Sequence, residues 1–232
     1  MGVKLSGTLQ AMYMKAVKML LGVRQSTTND MCLIEAGYPS LQALVHHRQK
    51  TFFEKMIAKR GNMTDDPLIF SLKMTEQDNP HMHKYINDLI EEPRNILEKD
   101  LATIKARVTT STRTKASQYK SFNPDLASHP VYTMEEVVDD DLRTAFTRLR
   151  VSSHRLRSET GRWTRTDLAD RLCQCGLSVQ TEEHVLCQCT LVDHIRRSYA
   201  NEGIDFKDFM TTEKTKQQLA MVNEILNFYE NY

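Results

Sequence analysis

No stretch of this chain approaches the roughly 18 consecutive apolar residues of a membrane-spanning helix, so no part of it is expected to cross a bilayer. It lacks a glycine-rich phosphate loop, a nucleophile elbow and any serine or cysteine triad signature. Those absences leave the common nucleotide-hydrolysing and acyl-transfer chemistries without residues to carry them. There is no internal repeat and no low-complexity tract, and strand signals are scarce. The apolar run near the N-terminus is short, ends at Leu20-Leu21-Gly22 and contains Lys15 and Lys18. Helical periodicity explains it better than a secretory leader does. With 40% hydrophobic and 26% charged residues in 232 positions, the chain is expected to fold as one large domain or two small ones.

Cysteine is sparse overall but concentrated. Four of the five cysteines lie between positions 173 and 189, in the order Cys173-Gln174-Cys175-Gly176, His184, Cys187 and Cys189. Four thiol or imidazole ligands in so short a span can close a tetrahedron around one ion, the donor set that Zn²⁺ prefers. Without a secretion signal, the cluster points to metal and to an intracellular, reducing compartment (nucleus or cytoplasm) rather than to disulfides. Cys173 and Cys175 form the first ligand pair, with Gly176 supplying the permissive backbone of the turn. The second pair is open among His184, Cys187 and Cys189. On a continuous α-helix His184 and Cys187 would share a face, and local geometry therefore favours Cys187.

The apolar spacing predicts a mainly α chain: a bundle-like helical part over 1–125, then a small helical domain with a zinc knuckle over 126–232. Leu9, Met12, Tyr13, Ala16, Val17 and Leu20 mark one helical face, ended at Gly22. A short helix is expected from the capping-rich Ser26-Thr27-Thr28-Asn29-Asp30 through Ile34, stopped at Gly37. A long one should start after Ser40, with Leu41, Leu44, Val45, Phe52, Met56 and Ile57 inward. Asp66-Pro67 and Asn79-Pro80 suggest helices near 67–74 and 80–91, and another should follow Pro93. Residues 108–130 read as a connection, with turn residues and no periodic apolar positions. Beyond it Thr133-Met134-Glu135-Glu136 fits a capping box. Leu142, Ala145, Phe146 and Leu149 then share a helical face, with Arg143, Arg148 and Arg150 expected to point away. A short helix near 191–200 and a last one over about 212–228 complete the pattern.

The net charge of +1 conceals a local imbalance. Between Arg143 and Arg165 lie seven arginines, with Glu159 as the only acid; from Lys105 to Lys120 there are five basic residues and no acid. A phosphate backbone requires local positive surface rather than a basic total. A solvated helix face is the competing reading of each run.

These segments resemble a known family. Arg171-Leu172-Cys173-Gln174-Cys175-Gly176, Gln180-Thr181-Glu182-Glu183-His184-Val185-Leu186 and Cys189 are similar to the zinc-binding segment at the C-terminus of non-LTR (LINE-type) retrotransposon reverse transcriptases. Upstream, Thr147 to Leu156 and Glu159 to Trp163 resemble the basic segment preceding that knuckle. Leu20 to Asp30 resembles the stretch after the polymerase thumb. The likeness is dense at 18–45 and 142–197 and thin at 62–130. Thr190 departs from it, where the family commonly has proline. The resemblance implies Cys189 rather than Cys187 as fourth ligand, hence a Zn²⁺ site of Cys173, Cys175, His184 and Cys189. It also implies a surface for RNA (the element transcript) or DNA made by Arg148, Arg150, Arg155, Arg157, Arg162, Trp163 and Arg165, with Trp163 either stacked on a base or packed on the knuckle. The missing polymerase domain would be a further partner. The aromatic-x-Asp-Asp signature of a polymerase palm is absent, and Asp139-Asp140-Asp141 reads as a helix-start cluster. The chain is therefore expected to bind nucleic acid without polymerising it. The alternative is a zinc-stabilised module for structure or protein interaction, domesticated or decayed.

Overall fold

The computed structural model describes residues 7–59, 80–91, 95–133, 139–200 and 203–230. Helices α1 (Gly7–Leu20), α2 (Asn29–Ala36), α3 (Leu41–Lys59), α4 (Pro80–Glu91), α5 (Ile96–Thr110), α6 (Thr114–Phe122), α7 (Asp140–Arg150), α8 (Arg157–Trp163), α9 (Asp193–Ser198), α10 (Phe206–Thr211) and α11 (Lys216–Glu230) make up its frame. Among the described residues there is no strand, only an isolated antiparallel bridge between Leu172 and Val179. The mainly α expectation holds. No helix is long and apolar enough to cross a membrane among the described residues. The expected helix near 67–74 and residues 134–136 of the capping box fall outside them.

The chain forms two compact units, and they do not divide near 125. Of the described residues, those within 1–14 and 38–104 make one, and those within 15–37 and 105–232 make the other. The cut thus runs through α1 and α5, because helices 2 and 6 bury their apolar faces with the C-terminal elements instead of with their sequence neighbours.

In the first unit Ser40 caps α3, its hydroxyl accepting from the Ala43 amide at 3.2 Å, and its own N–H and hydroxyl both donate to Asp100 of α5. Helix α3 packs on α4 through a face that includes Lys50 and Gln49, whose Oε1 accepts from the Tyr85 hydroxyl at 3.0 Å. Lys50 is buried with its ammonium on the Leu89 carbonyl at 3.2 Å and beside Glu54. Phe52, expected inward, is half exposed, because it lies two residues and about 200° from Lys50 on the wheel. The expected apolar face of α1 is corrected similarly. Leu9, Met12 and Leu20 are exposed, while Val17 and Lys18 are buried, the Lys18 ammonium donating to the Gln25 carbonyl.

The second unit is built around α7 and α11, which lie against each other. Phe146, Leu149, Leu219, Met221, Val222 and Ile225 are buried in it. Helix α6 occupies part of what reads as a loop. Ala116, Tyr119 and Phe122 are inward, three positions three residues apart in an otherwise polar stretch. So few apolar residues give no recognisable period, and packing rather than local propensity makes the helix. Helix α10 was likewise not anticipated; Asp205 caps it by accepting from the Asp208 amide at 2.8 Å. At α7, Asp139 accepts from the Asp141 amide at 3.0 Å, so these acids do start a helix.

Arg150 requires the largest correction. It does not face solvent: its side chain is 1% exposed and bound to Glu35, itself fully buried, with Nε and Nη2 donating to Glu35 Oε1 at 2.9 and 2.8 Å. Its Nη1 donates to the Met210 carbonyl, and the guanidinium lies 5.3 Å from the Phe122 ring centroid. Tyr119 donates to the same Glu35 oxygen at 2.7 Å. Burial pulls the Arg150 pKa down, but the Glu35 charge and hydrogen bond outweigh it and the net displacement is upward. Four residues separate Phe146 from Arg150, which puts both on the buried face.

Breaking this pair leaves one uncompensated buried charge. We expect Arg150→Ala to cost about 3–5 kcal/mol in urea unfolding, while Glu35→Leu/Arg150→Met recovers most of the loss. A loss below about 1 kcal/mol would show the pair to be solvated.

His129 supplies a pH dependence. Its Nδ1 accepts from the Val131 amide at 3.0 Å and its Nε2 contacts the Thr212 carbonyl at 3.0 Å, which fits the neutral Nε2–H tautomer. Burial, then the Arg150 charge, push its pKa down from 6.5 to about 3. Between those values the unfolded chain binds the extra proton. Its contribution is therefore complete above about pH 6.5 and is lost as pH falls toward 3. His129→Gln should flatten unfolding free energy against pH within that window; an unchanged slope would assign the dependence elsewhere.

Candidate metal centre and its basic flank

The residues before and after the first cysteine pair form a tight hairpin-like turn. The Cys173 amide donates to Ser178 O at 2.8 Å, Gln180 N to Arg171 O at 2.9 Å, and Gly176 N to Cys173 O at 2.9 Å. Gly176 has φ +73°, a left-handed conformation that costs glycine little. The Leu177 amide points at Cys175 Sγ at 3.5 Å.

The second pair comes from an irregular turn. Thr181 Oγ1 accepts from the His184 amide at 3.1 Å, and residues His184–Gln188 then form a π-turn closed by Cys189 N on His184 O at 2.8 Å. That i to i+5 closure brings Cys189 back beneath His184, where an α-helix would have offered Cys187. Arg196 of α9 secures the turn, donating to the Val185 carbonyl at 3.3 Å and the Cys189 carbonyl at 2.6 Å.

Cys173, Cys175, His184 and Cys189 consequently converge, each offering one ligand atom, all within 4.8 Å of one another. Cys173 Sγ and Cys189 Sγ are 3.6 Å apart, and Cys175 Sγ lies 3.2 Å from His184 Nε2. A tetrahedron with metal–sulfur bonds of about 2.3 Å has edges of about 3.8 Å, so the spacing fits one ion. The cluster can hold a metal. Cys187 stays outside it, half-buried, its thiol pushed up to about 12 by burial. Burial also pushes Cys189 up, to about 11, and holds His184 below the ordinary imidazole range, as the neutral ligand form. Burial would raise Cys173 too, but hydrogen bonds from the Cys175 backbone and from Tyr229 and Cys189 bring it below the usual thiol value.

Tyr229, near the end of α11, was not anticipated and no local signal announces it. Its hydroxyl donates to Cys189 Sγ at 2.8 Å and lies 3.8 Å from Cys173 Sγ. Glu182, equally buried, ties the cluster to the preceding segment by accepting from Ser152 Oγ at 3.0 Å and contacting His154 Nε2 at 2.7 Å.

The seven residues expected to touch nucleic acid divide into groups. Arg150 is internal, as described above. Arg148 is half-buried and donates to the Gly22 carbonyl at 2.8 Å. Arg162 is half-buried, 3.7 Å from Glu159. Arg155, Arg157 and Arg165 are exposed and have no carboxylate partner among the described residues, and Arg157 is fastened to the cluster by Nη1 on the Leu172 carbonyl at 2.9 Å. Trp163 is 55% exposed, with the Arg24 guanidinium 4.4 Å from its ring centroid. It does not pack into the knuckle. Arg24 was not among the expected residues; its amide donates to Ser153 Oγ at 2.9 Å and its Nη2 lies 3.5 Å from Glu159.

Fold and site together define a mainly helical chain with a Cys₃His candidate metal centre and a partly exposed arginine flank. Comparison with protein-family models, curated proteins and solved structures finds no match for this chain.

One divalent ion per chain is the expected stoichiometry by native mass spectrometry, abolished in Cys173→Ala. Tyr229→Phe should keep that stoichiometry but weaken the metal about 10- to 100-fold in competition with a chelator. Equal affinity would remove Tyr229 from the site.

Proposed function

We propose that this chain is the C-terminal nucleic-acid-binding part of a non-LTR retrotransposon reverse transcriptase, with Zn²⁺ in the Cys₃His centre. Three thiols and one imidazole form the donor set of structural zinc, and no position is left open for a water. The ion would clamp the 171–189 segment, and with it the arginine flank. The observation that carries the nucleic-acid reading is the exposed Trp163–Arg24 stack together with the exposed Arg155, Arg157 and Arg165 of the same chain segment, none of the last three bound to a carboxylate among the described residues. Unpaired guanidinium groups and an open indole face suit phosphates and an unstacked base. Further support comes from residues 22–27 meeting residues 144–153, since both stretches carry the resemblance. Lacking the palm signature, the chain is assigned no nucleotide transfer of its own.

A purely structural module is the second reading. It is favoured by Arg148, Arg150, Arg171 and Arg196, whose guanidinium groups are engaged by carbonyls or buried acids. Salt-dependent RNA binding separates the two. Arg155→Ala/Arg157→Ala should weaken single-stranded RNA broadly across sequences and flatten the log–log salt slope by about 1.4, two contacts at roughly 0.7 each. A slope unchanged by that double substitution, or wild-type binding without salt dependence, would favour the structural module. Nucleotide incorporation on a primed template should stay at background.

A further inference from the structure

A second basic feature lies away from the cysteine cluster. A cavity of about 760 Å³ opens within the second unit between the start of α2, the end of α5 and the start of α6. Four cations line it, Arg107, Arg113, Lys115 and Arg162, with hydroxyls from Ser26, Thr28, Thr110, Ser111 and Thr114 and one acid, Asp30.

The charge does not cancel. Asp30 is held by Arg107, with Nε and Nη2 on its two oxygens at 3.0 and 2.8 Å. Glu159 is shared between Lys115 at 2.5 Å, Arg162 at 3.7 Å and Arg24 at 3.5 Å. Arg113 is exposed and has no ion pair among the described residues. Four lining cations against these two acids leave a surplus of two positive charges before Arg24 is counted.

The backbone has the same sign. At the C-terminus of α5, whose carbonyls would repel an anion, the Lys120 ammonium donates to Thr109 O at 2.8 Å and to Ser111 O, just beyond the helix, at 3.0 Å. Neither α2 nor α6 has a side-chain cap, and the first turns of both border the cavity. Their leading amides have no acceptor within the helix.

We infer that this cavity binds phosphate groups, with Arg113 as the open cation that meets them and Arg107, Lys115 and Arg162 oriented beside it by Asp30 and Glu159. The hydroxyls and amides would donate to phosphate oxygens that the charges attract. Only Arg162 is common to this cavity and the arginine flank, so this site stands whether or not that flank binds RNA. A nucleic-acid backbone and a free nucleotide present the same chemistry.

Inorganic pyrophosphate is the probe, titrated by calorimetry at low salt against the full chain. Saturable binding at one site is expected, weakened about tenfold by Arg113→Glu, because charge-assisted contacts are strong and the change reverses the charge. Glutamate at the start of a helix is favourable to the fold, so this variant should remain intact. Lys207→Glu, an exposed cation outside both the cavity and the flank, should leave pyrophosphate affinity unchanged. Displacement of pyrophosphate by a single-stranded RNA oligonucleotide would identify the source as a phosphodiester backbone; displacement by a nucleoside triphosphate alone would identify a free nucleotide. Both outcomes support the site. Absence of saturable pyrophosphate binding, or equal affinity in wild type and Arg113→Glu, would overturn it. Loss of RNA binding in the flank variants with pyrophosphate binding intact would separate the two surfaces.

Discussion

The second unit depends on a charge that has left water. Glu35 and Arg150 are both internal, and a lone ion at either position would be untenable in so dry a place. Their pairing joins α2 to α7, the Tyr119 hydroxyl adds α6, and the Met210 carbonyl adds α10. Each partner can be satisfied only if the other three elements are in position. A hydrophobic contact at the same place would tolerate sliding; a guanidinium that must satisfy a carboxylate and a carbonyl does not. The rings of Phe122 and Phe146 lie beside the guanidinium, with centroids at 5.3 and 5.9 Å.

The candidate metal centre rests on a different constraint, the backbone closure of the π-turn. By ending on a five-residue hydrogen bond, the chain delivers His184 and Cys189 to one side and leaves Cys187 off it. Arg196 clasps the turn from α9, and Tyr229 reaches the same sulfur from α11. The Cys189 carbonyl and thiol are thus held by two separate helices. Metal binding at this cluster would link to the seating of the C-terminal helix, because the hydroxyl beside the thiol belongs to the helix that packs on α7.

Glu159 gives the positive surfaces their shape. It is a buried acid met by three cations, Arg24, Lys115 and Arg162. One carboxylate cannot neutralise three cations, so it orients them and leaves the surplus charge outside. Its neighbourhood borders both the Trp163 stack and the cavity, which explains how a chain of nearly neutral composition can be strongly basic in one place.

Helical class, several helix limits and the cysteine pair were legible in the sequence, because they depend on neighbours a few residues apart. The αL glycines after α1 and α2 are of this kind, as are Ser40 at α3 and the Cys-x-Cys turn with Gly176. The resemblance singled out Cys189, where α-helical spacing favoured Cys187. What tertiary structure decided was the fate of residues whose partners are distant in the chain. Arg150 follows Phe146 by four and belongs to the buried face, but only Glu35, 115 positions away, makes an internal arginine tenable. Helix α6 forms where the period is weak, because its few apolar residues are buried in the fold. Tyr229 reaches a sulfur 40 positions away, and Arg24 stacks on a tryptophan still further from it in sequence. Local propensity determines the elements; desolvation of charge and satisfaction of buried polar groups determine which of their faces meet.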